Sequence, residues 1–499
     1  MSFGPPPSPF TQSAVAADQA ARRRRTRALG GALAVVLAVA LCVGGLLLWS
    51  AGDHGGPAGD GKAAAAQRPD EVRESADPVP GSPEGRLLVD YSEDGLEGTV
   101  KGRPQYAPGT WATDKVVAKG IGHDIVGLTT AARGDEKAWT LELDGHLCAT
   151  TRHITADGRT AVVVQPTRPG GAKASGVCDE VVFFDVDTGK KLWQATMPSA
   201  QAALVTNTNV TLTKGVVAVA WGQGSVAYEM KTGKQLWNGT TASACEDSGF
   251  AGGRALLALE KCGQAPDTTY RVQRLDPRTG KAEWTYKLAD GVQDVFLPSA
   301  DPPVLAVAAG DSLVTDLITL DDDGKRLATV SMSGYDPRCG VRTMRFFGSV
   351  DHCEGMVVGP KQVYVVSEDN VEPAQAANWI VAFDLATGKS GRKFDGRPGE
   401  PLTPVRMNGD DLLVFRRSYL EVEPSAVVGW NPRTGRQTPF LFFGLPSDDA
   451  GELGDVEQSD ILVEGGRVFF AKLRLEADDE SPTDPVRVVL GVGSAGPGD

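Results

Sequence analysis

One phrase recurs six times between residues 185 and 436 and limits what this chain can fold into: an apolar run closing on a corner of the type Asp-x-x-Thr-Gly-Lys. In three copies a Trp follows four residues after the Gly. The clearest copy is Asp185-Val186-Asp187-Thr188-Gly189-Lys190 with Trp193, and it returns as Glu229 to Lys234 with Trp237 and as Asp276 to Lys281 with Trp284. Asp321-Asp322-Asp323-Gly324-Lys325, Asp384 to Lys389 and Asn431 to Arg436 are copies without the Trp. An earlier Leu143-Asp144-Gly145 stands 44 residues before Gly189, the same step as from Gly189 to Gly233 and from Gly280 to Gly324. Self-similarity at a period of roughly 40–50 residues belongs to propellers built from four-stranded blades.

The phrase is a hairpin in physical terms. A run such as Val181 to Phe184 supplies a strand, the Asp bonds forward onto the backbone of the turn, and the Gly takes a positive φ that reverses the chain. The Trp on the return strand offers a large apolar face to a neighbouring blade. A single blade cannot bury both faces, whereas a ring of blades can. Val216 to Ala220 with Ser225 to Tyr228, and Gln362 to Val366 with Ile380 to Phe383, read as further hairpins. No amphipathic helix of ten residues or more stands out, so the body reads as all-β. Gly corners at 145, 189, 233, 280, 324, 388 and 435 mark seven blades. Ile461 to Val463, Arg467 to Leu473 and Val486 to Val492 then supply three strands of an eighth, whose outermost strand comes from the segment between Arg86 and Tyr106. The expectation is an eight-bladed β-propeller, with seven blades as the alternative. The wide step from Gly324 to Gly388 implies an inserted loop carrying Cys339 and Cys353.

Charge and hydropathy divide the chain. Residues 1–27 carry five Arg and one Asp, residues 28–49 carry no charge, and the formal net charge of −14 leaves −18 for everything beyond. An acidic body argues against sequence-independent nucleic-acid binding, which needs clustered Lys and Arg. As a helix the 22 residues from Ala28 to Trp49 would reach about 33 Å and span a bilayer. Arg22 to Arg25 and Arg27 before it place the N-terminus in the cytoplasm and the remainder outside. A cleaved secretory signal is the competing reading, against which stand the length of the run and the bulky Leu48-Trp49-Ser50; Leu41 likewise argues against lipoprotein processing at Cys42. The predicted organisation is a disordered tail over 1–27, a transmembrane helix over 28–49, a flexible Gly-, Ala- and Pro-rich linker over 50–85, the propeller over 86–493 and a tail over 494–499.

Six cysteines lie beyond the apolar run, and six allow 15 pairings. The expected set is sequential, Cys148–Cys178, Cys245–Cys262 and Cys339–Cys353, since each pair lies within about one repeat, and an oxidising compartment suits it. Six unpaired buried thiols are the alternative. No Cys-x-x-Cys occurs and the five His are scattered, so no metal ligands are assigned.

The corner with its following Trp resembles the tryptophan-docking repeat of the pyrroloquinoline-quinone-like propellers, over residues of roughly 110 to 493. That resemblance implies the fold and leaves function open, because the superfamily holds both quinoprotein alcohol dehydrogenases and a non-catalytic propeller of outer-membrane β-barrel assembly. The dehydrogenases would place a quinone beneath a disulfide of adjacent cysteines, on a Trp floor, beside a calcium held by carboxylates and an Asn, with an Asp as base. No Cys-Cys occurs here, and Asp185, Asp276 and Asp384 belong to the repeating turn. Asp321 to Asp323 suggest a calcium loop faintly but lack its downstream Glu. His123 beside Asp124, His146, His153 and His352 beside Asp351 read as surface or loop residues, and the sequon Asn238-Gly239-Thr240 as a turn. No Gly-x-Ser-x-Gly elbow, phosphate loop or His-Glu-x-x-His helix is present. No catalytic, cofactor-binding or metal residue is therefore assigned and no cofactor is expected. The functional expectation is a non-enzymatic, membrane-anchored, extracytoplasmic binding or scaffolding module with a monomeric body, a protein partner at a propeller rim and no nucleic acid. A quinone-dependent dehydrogenase and an extracellular sensor or regulator are the alternatives. Richness in Ala, Gly, Arg and Asp with a single membrane anchor points to a high-GC Gram-positive bacterium.

Overall fold

A computed structural model describes residues 67–494, apart from 75, 95, 97–103, 131–135, 167–175, 241–244, 265, 311–312, 341–346, 369–375, 420–422, 448 and 479. The expected helix over 28–49 and the tail before it lie outside the described residues. No helix among the described residues is long and apolar enough to cross a membrane.

The body is an eight-bladed all-β propeller. Eight four-stranded sheets follow one another along the chain. Blades 1 to 7 occupy 110–142, 145–196, 209–240, 245–287, 292–331, 356–395 and 402–443. Blade 8 takes Ser459–Glu464, Arg467–Lys472 and Val486–Ser494 from the end of the chain and its outermost strand, Gly85–Glu93, from the beginning. That strand pairs antiparallel with Val486–Ser494, from Gly85 opposite Ser494 to Glu93 opposite Val486. The first strand of each blade is innermost: these strands touch in succession from blade 2 to blade 8, and Ser459–Glu464 meets Thr110–Ala112 of blade 1 to close the ring. Middle strands lie between two neighbouring blades and are buried on both faces, which is why Val181 to Phe184 and Val216 to Ala220 are unbroken apolar runs.

At the corner after the third strand the Asp does what its position predicts. Asp185 Oδ1 accepts from the Thr188 amide at 2.9 Å and the Thr188 hydroxyl at 2.8 Å, and Asp276 and Asp384 repeat the pattern. Gly189, Gly233, Gly280 and Gly324 sit at φ of +68, +69, +67 and +74°. Each is covered by a Trp of the preceding blade: Trp139, Trp193, Trp237 and Trp284 respectively. Trp193 also stacks on Phe183, ring centroids 5.3 Å apart, and its Nε1 donates to Met230 O at 2.7 Å.

Two expectations are corrected. Gly145 is no hairpin corner; it opens the first strand of blade 2, Gly145–Thr150, where a Cβ would collide with the Gln165 carbonyl, so close strand approach rather than a turn demands glycine there. Asn238-Gly239-Thr240 is the end of the outer strand Gln235–Thr240 of blade 3 instead of a turn, because its ladder with Gly224 to Val226 continues to Thr240. The cysteines form the sequential disulfides Cys148–Cys178, Cys245–Cys262 and Cys339–Cys353. The last ties the insertion between blades 5 and 6, residues 332–355.

Candidate functional site

The turns joining first to second strands and those joining third to fourth strands share one face of the ring. The segment 68–84, within the stretch expected as a linker, lies across that face. Asp70 O accepts from Gly215 N at 2.9 Å in blade 3, and Arg73 N donates to Ile154 O at 2.8 Å in blade 2. Arg73 pairs with Glu464 of blade 8 at 2.8 Å and with Asp114 of blade 1 at 3.3 Å. Glu74 takes a two-pronged bond from Arg254 of blade 4. Asp77, its side chain 6% exposed, holds Arg406 of blade 7 at 2.7 Å and the Gly466 amide of blade 8 at 3.3 Å. This strap thus touches blades 1, 2, 3, 4, 7 and 8.

From the opposite face the insertion enters the central channel. Phe347 packs edge-on against Tyr106, Gly348 lies against the 206–208 backbone, and Val350 O accepts from Leu297 N at 2.7 Å. Asp351 O accepts from Arg152 Nη1 at 2.8 Å. Residues 347–353 therefore plug the ring by contacts to blades on several sides of the axis. Between strap and plug remains a cavity of about 510 Å³ lined by Val72, Arg73, Arg152, His153, Asp351 and Arg406 among others; a second of about 230 Å³ lies beside His352 against blades 1, 2, 7 and 8.

His153 and His352, expected at the surface or in loops, do sit in loops, yet both are turned to the channel, His153 lining the larger cavity and His352 the smaller. Spacing in sequence carries no trace of that, because residues 199 apart meet only once the insertion folds inward. Burial lowers the His153 pKa to about 4, against the pull of the Asp351 charge. Burial would lower that of His352 too, but the hydrogen bond and charge of Asp351 outweigh it and the pKa is raised. Burial would raise the Asp351 carboxyl; the bond and charge of His352 and the charge of Arg152 hold it well below the usual range. Ser349, His352 and Asp351 have the composition of a hydrolytic triad without its geometry. Ser349 Oγ lies 2.6 Å from His352 Nδ1, and Asp351 Oδ1 is 3.4 Å from that same nitrogen. A relay requires hydroxyl and carboxylate on opposite ring nitrogens, so this cluster fastens the plug.

Lys119 was invisible as a site residue in the sequence. It is fully buried, its Nζ donates to Thr110 Oγ1 at 3.0 Å, and Asp460 lies 3.8 Å away. Burial lowers its pKa to about 8 while Asp460 opposes the shift. Because Thr110 belongs to blade 1 and Asp460 to blade 8, the amine locks the seam where the ring closes. Elsewhere His123 and Asp124 stand 3.7 Å apart on the exterior, and Asp321 caps its own turn by accepting from the Asp323 and Lys325 amides.

A quinone and calcium site of the pattern implied by the resemblance does not fit these residues. No disulfide joins adjacent cysteines, the axis is filled by 347–353, and among the described residues no group of three or more His, Cys, Asp and Glu is placed to hold a metal ion.

A family profile described as outer membrane protein assembly factor BamB matches residues 104–252, 178–338 and 268–474. No curated protein sequence matches the chain significantly. Similar solved structures include BamB from Moraxella catarrhalis, at 13% identity and a TM-score of 0.42 over 82% of this chain and 99% of that one. They also include the quinohemoprotein alcohol dehydrogenase from Comamonas testosteroni, at 13% identity and a TM-score of 0.44 over 84% and 78%. A europium-containing methanol dehydrogenase is similar at 11% identity and a TM-score of 0.44 over 82% and 93%. With the repeat matched from residue 104 to residue 474, the chain belongs to the pyrroloquinoline-quinone-like propeller repeat family that this profile defines.

Proposed function

We propose that the chain is a binding or scaffolding module, anchored in the cell membrane by residues 28–49, with its propeller outside the cytoplasm and protein or cell-envelope partners on its surface. The observation that carries this reading is the occupied channel. Where a propeller enzyme would hold a cofactor, this chain places its own residues 347–353 from one side and its strap 68–84 from the other. The face turned away from the strap, and whatever the strap leaves bare, remain for contacts with other molecules. An acidic body favours basic partners during encounter. The full chain, purified in detergent and supplied with pyrroloquinoline quinone and calcium, is expected to acquire no quinone absorbance and to oxidise neither alcohols nor sugars. Turnover of either substrate overturns the reading.

A further inference from the structure

Six interfaces between blades carry the Gly corner, and five of them are filled from the preceding blade. Trp139, Trp193, Trp237 and Trp284 cover Gly189, Gly233, Gly280 and Gly324, and the Arg392 side chain covers Gly435 in the same manner. The exception is the interface of blades 5 and 6. Strand pairing identifies the residue that stands in the Trp position there: Trp193, Trp237 and Trp284 lie opposite Phe183, Ala227 and Arg274, beside a bulge, and Ala328 lies opposite Thr319 beside the same bulge. No ring covers Gly388; a Cβ there would meet the Ala328 methyl at 3.2 Å and the Thr329 carbonyl and a Val330 methyl at 3.4 Å. Beside it opens a hollow of about 260 Å³ lined by Pro302, Pro303, Leu320, Leu327, Pro360 and Leu385, with Lys361 and Asp384 at its edge. Leu327 is 44% exposed, so the hollow has a solvent-facing wall.

The backbone around this seat is the one that elsewhere receives an indole. Trp193 and Trp237 donate to the carbonyls of Met230 and Pro277, each the residue after the corner's first acid. The equivalent carbonyl, Leu385 O, accepts from Thr319 Oγ1 at 2.7 Å, which replaces the missing N–H and leaves the second lone pair. The hydrogen bonds and ion pairs described for the strap go to blades 1 to 4, 7 and 8 on this face.

We infer that the blade 5–6 hollow is a docking seat for an aromatic side chain, Trp above all, presented by a partner polypeptide. The inference rests on the reading of the chain as a binding module and specifies the chemistry of its partner. Four copies of the same interface in the same molecule take an indole, and the lining prolines and leucines suit a flat apolar ring.

The test uses the full chain in detergent and fluorine NMR of N-acetyl-5-fluorotryptophanamide, with free 5-fluoroindole as the second probe. Saturable binding of the amide is expected, with a dissociation constant on the order of 1 mM for so small a ligand. Ala328→Trp, which fills the seat from within, should weaken binding at least about tenfold, a difference that marks loss of most ring contacts. Leu327→Glu, on the exposed wall, should do the same while leaving the core untouched. Leu192→Glu, at the matching position before Trp193 and 37% exposed, should leave binding unchanged. Absence of binding, binding indifferent to Ala328→Trp or to Leu327→Glu, equal loss in Leu192→Glu, or binding of free indole alone would each overturn the inference. None of these results bears on the absence of quinone turnover, which tests the binding-module reading itself.

Discussion

Gly233 has two independent reasons to lack a side chain. Its φ of +69° is a left-handed conformation that costs a substituted residue about 1–2 kcal/mol, and a Cβ there would stand 2.8 Å from the Trp193 ring. Gly233→Ala is therefore expected to destabilise the propeller by about 2 kcal/mol or more, read as a lowered urea midpoint, since the overlap adds to the conformational cost. In the channel the two histidines act on stability in opposite directions. Between pH 6.5 and about 4 the unfolded chain holds a proton on His153 that the folded chain refuses, so stability falls as pH drops through that window. His352, raised by Asp351, contributes fully below its unfolded value near 6.5 and loses that contribution as pH rises through its folded value. His153→Gln should flatten the acid side of a plot of urea midpoint against pH, and His352→Gln should flatten the side above 6.5. An identical change in both variants would contradict the assigned signs. Corner glycines and their Asp caps were readable from sequence because the turn itself is closed within a few residues, even though the Trp covering each of Gly189, Gly233, Gly280 and Gly324 comes from the preceding blade. The histidine cluster was not, since its partners come from blade 2 and the insertion.

Among the elements, the strap most clearly separates what composition says from what tertiary contacts do. Pro, Ala, Gly and charge over 50–85 read as a linker, and within 68–84 the local bonds are short-range ones such as Arg68 to Glu71 and Glu84 N to Ser82 Oγ. Order comes from ion pairs with residues up to 391 positions away, Arg73 with Glu464 and Asp77 with Arg406. Removing the Asp77 carboxylate takes the counter-charge from a largely buried guanidinium that keeps the Val463 and Met407 carbonyls, and about 3–5 kcal/mol is the upper range for breaking such a pair. Because the strap lies on a preformed ring, part of that cost will appear as local release instead of global unfolding. Asp77→Ala is accordingly expected to speed proteolytic cleavage and amide exchange within 68–84 well before the blades respond. Unchanged protection of the strap would show that the pair does not hold it. The insertion was legible to a different degree: the step from Gly324 to Gly388 disclosed its existence and its cysteines, while its course into the channel depends on contacts with Tyr106, Leu297 and Arg152 that no periodicity encodes.

For the molecule as a whole, the repeat was the strongest signal, and eight sheets closed by strands from both ends follow from it. Its weak point was the counting of corners. Gly145 imitates one by spacing alone, and blade 1, whose link from third to fourth strand carries no such phrase, entered the count only through that coincidence. The ring's function is less legible than its shape for a physical reason: the same apolar alternation builds a blade whether its channel holds a ligand or a piece of the chain itself.

The outermost strand of blade 8, Gly85–Glu93, follows directly on the strap, so mechanical tension arriving through residues before 68 must pass the ion pairs of the strap before it reaches the ladder that shuts the ring. Were the chain anchored as proposed, those pairs would stand as a sacrificial fuse in series with the clasp. A tug on the tether would first peel the polar segment from the face and lengthen the leash, absorbing work while the circle of sheets stays intact.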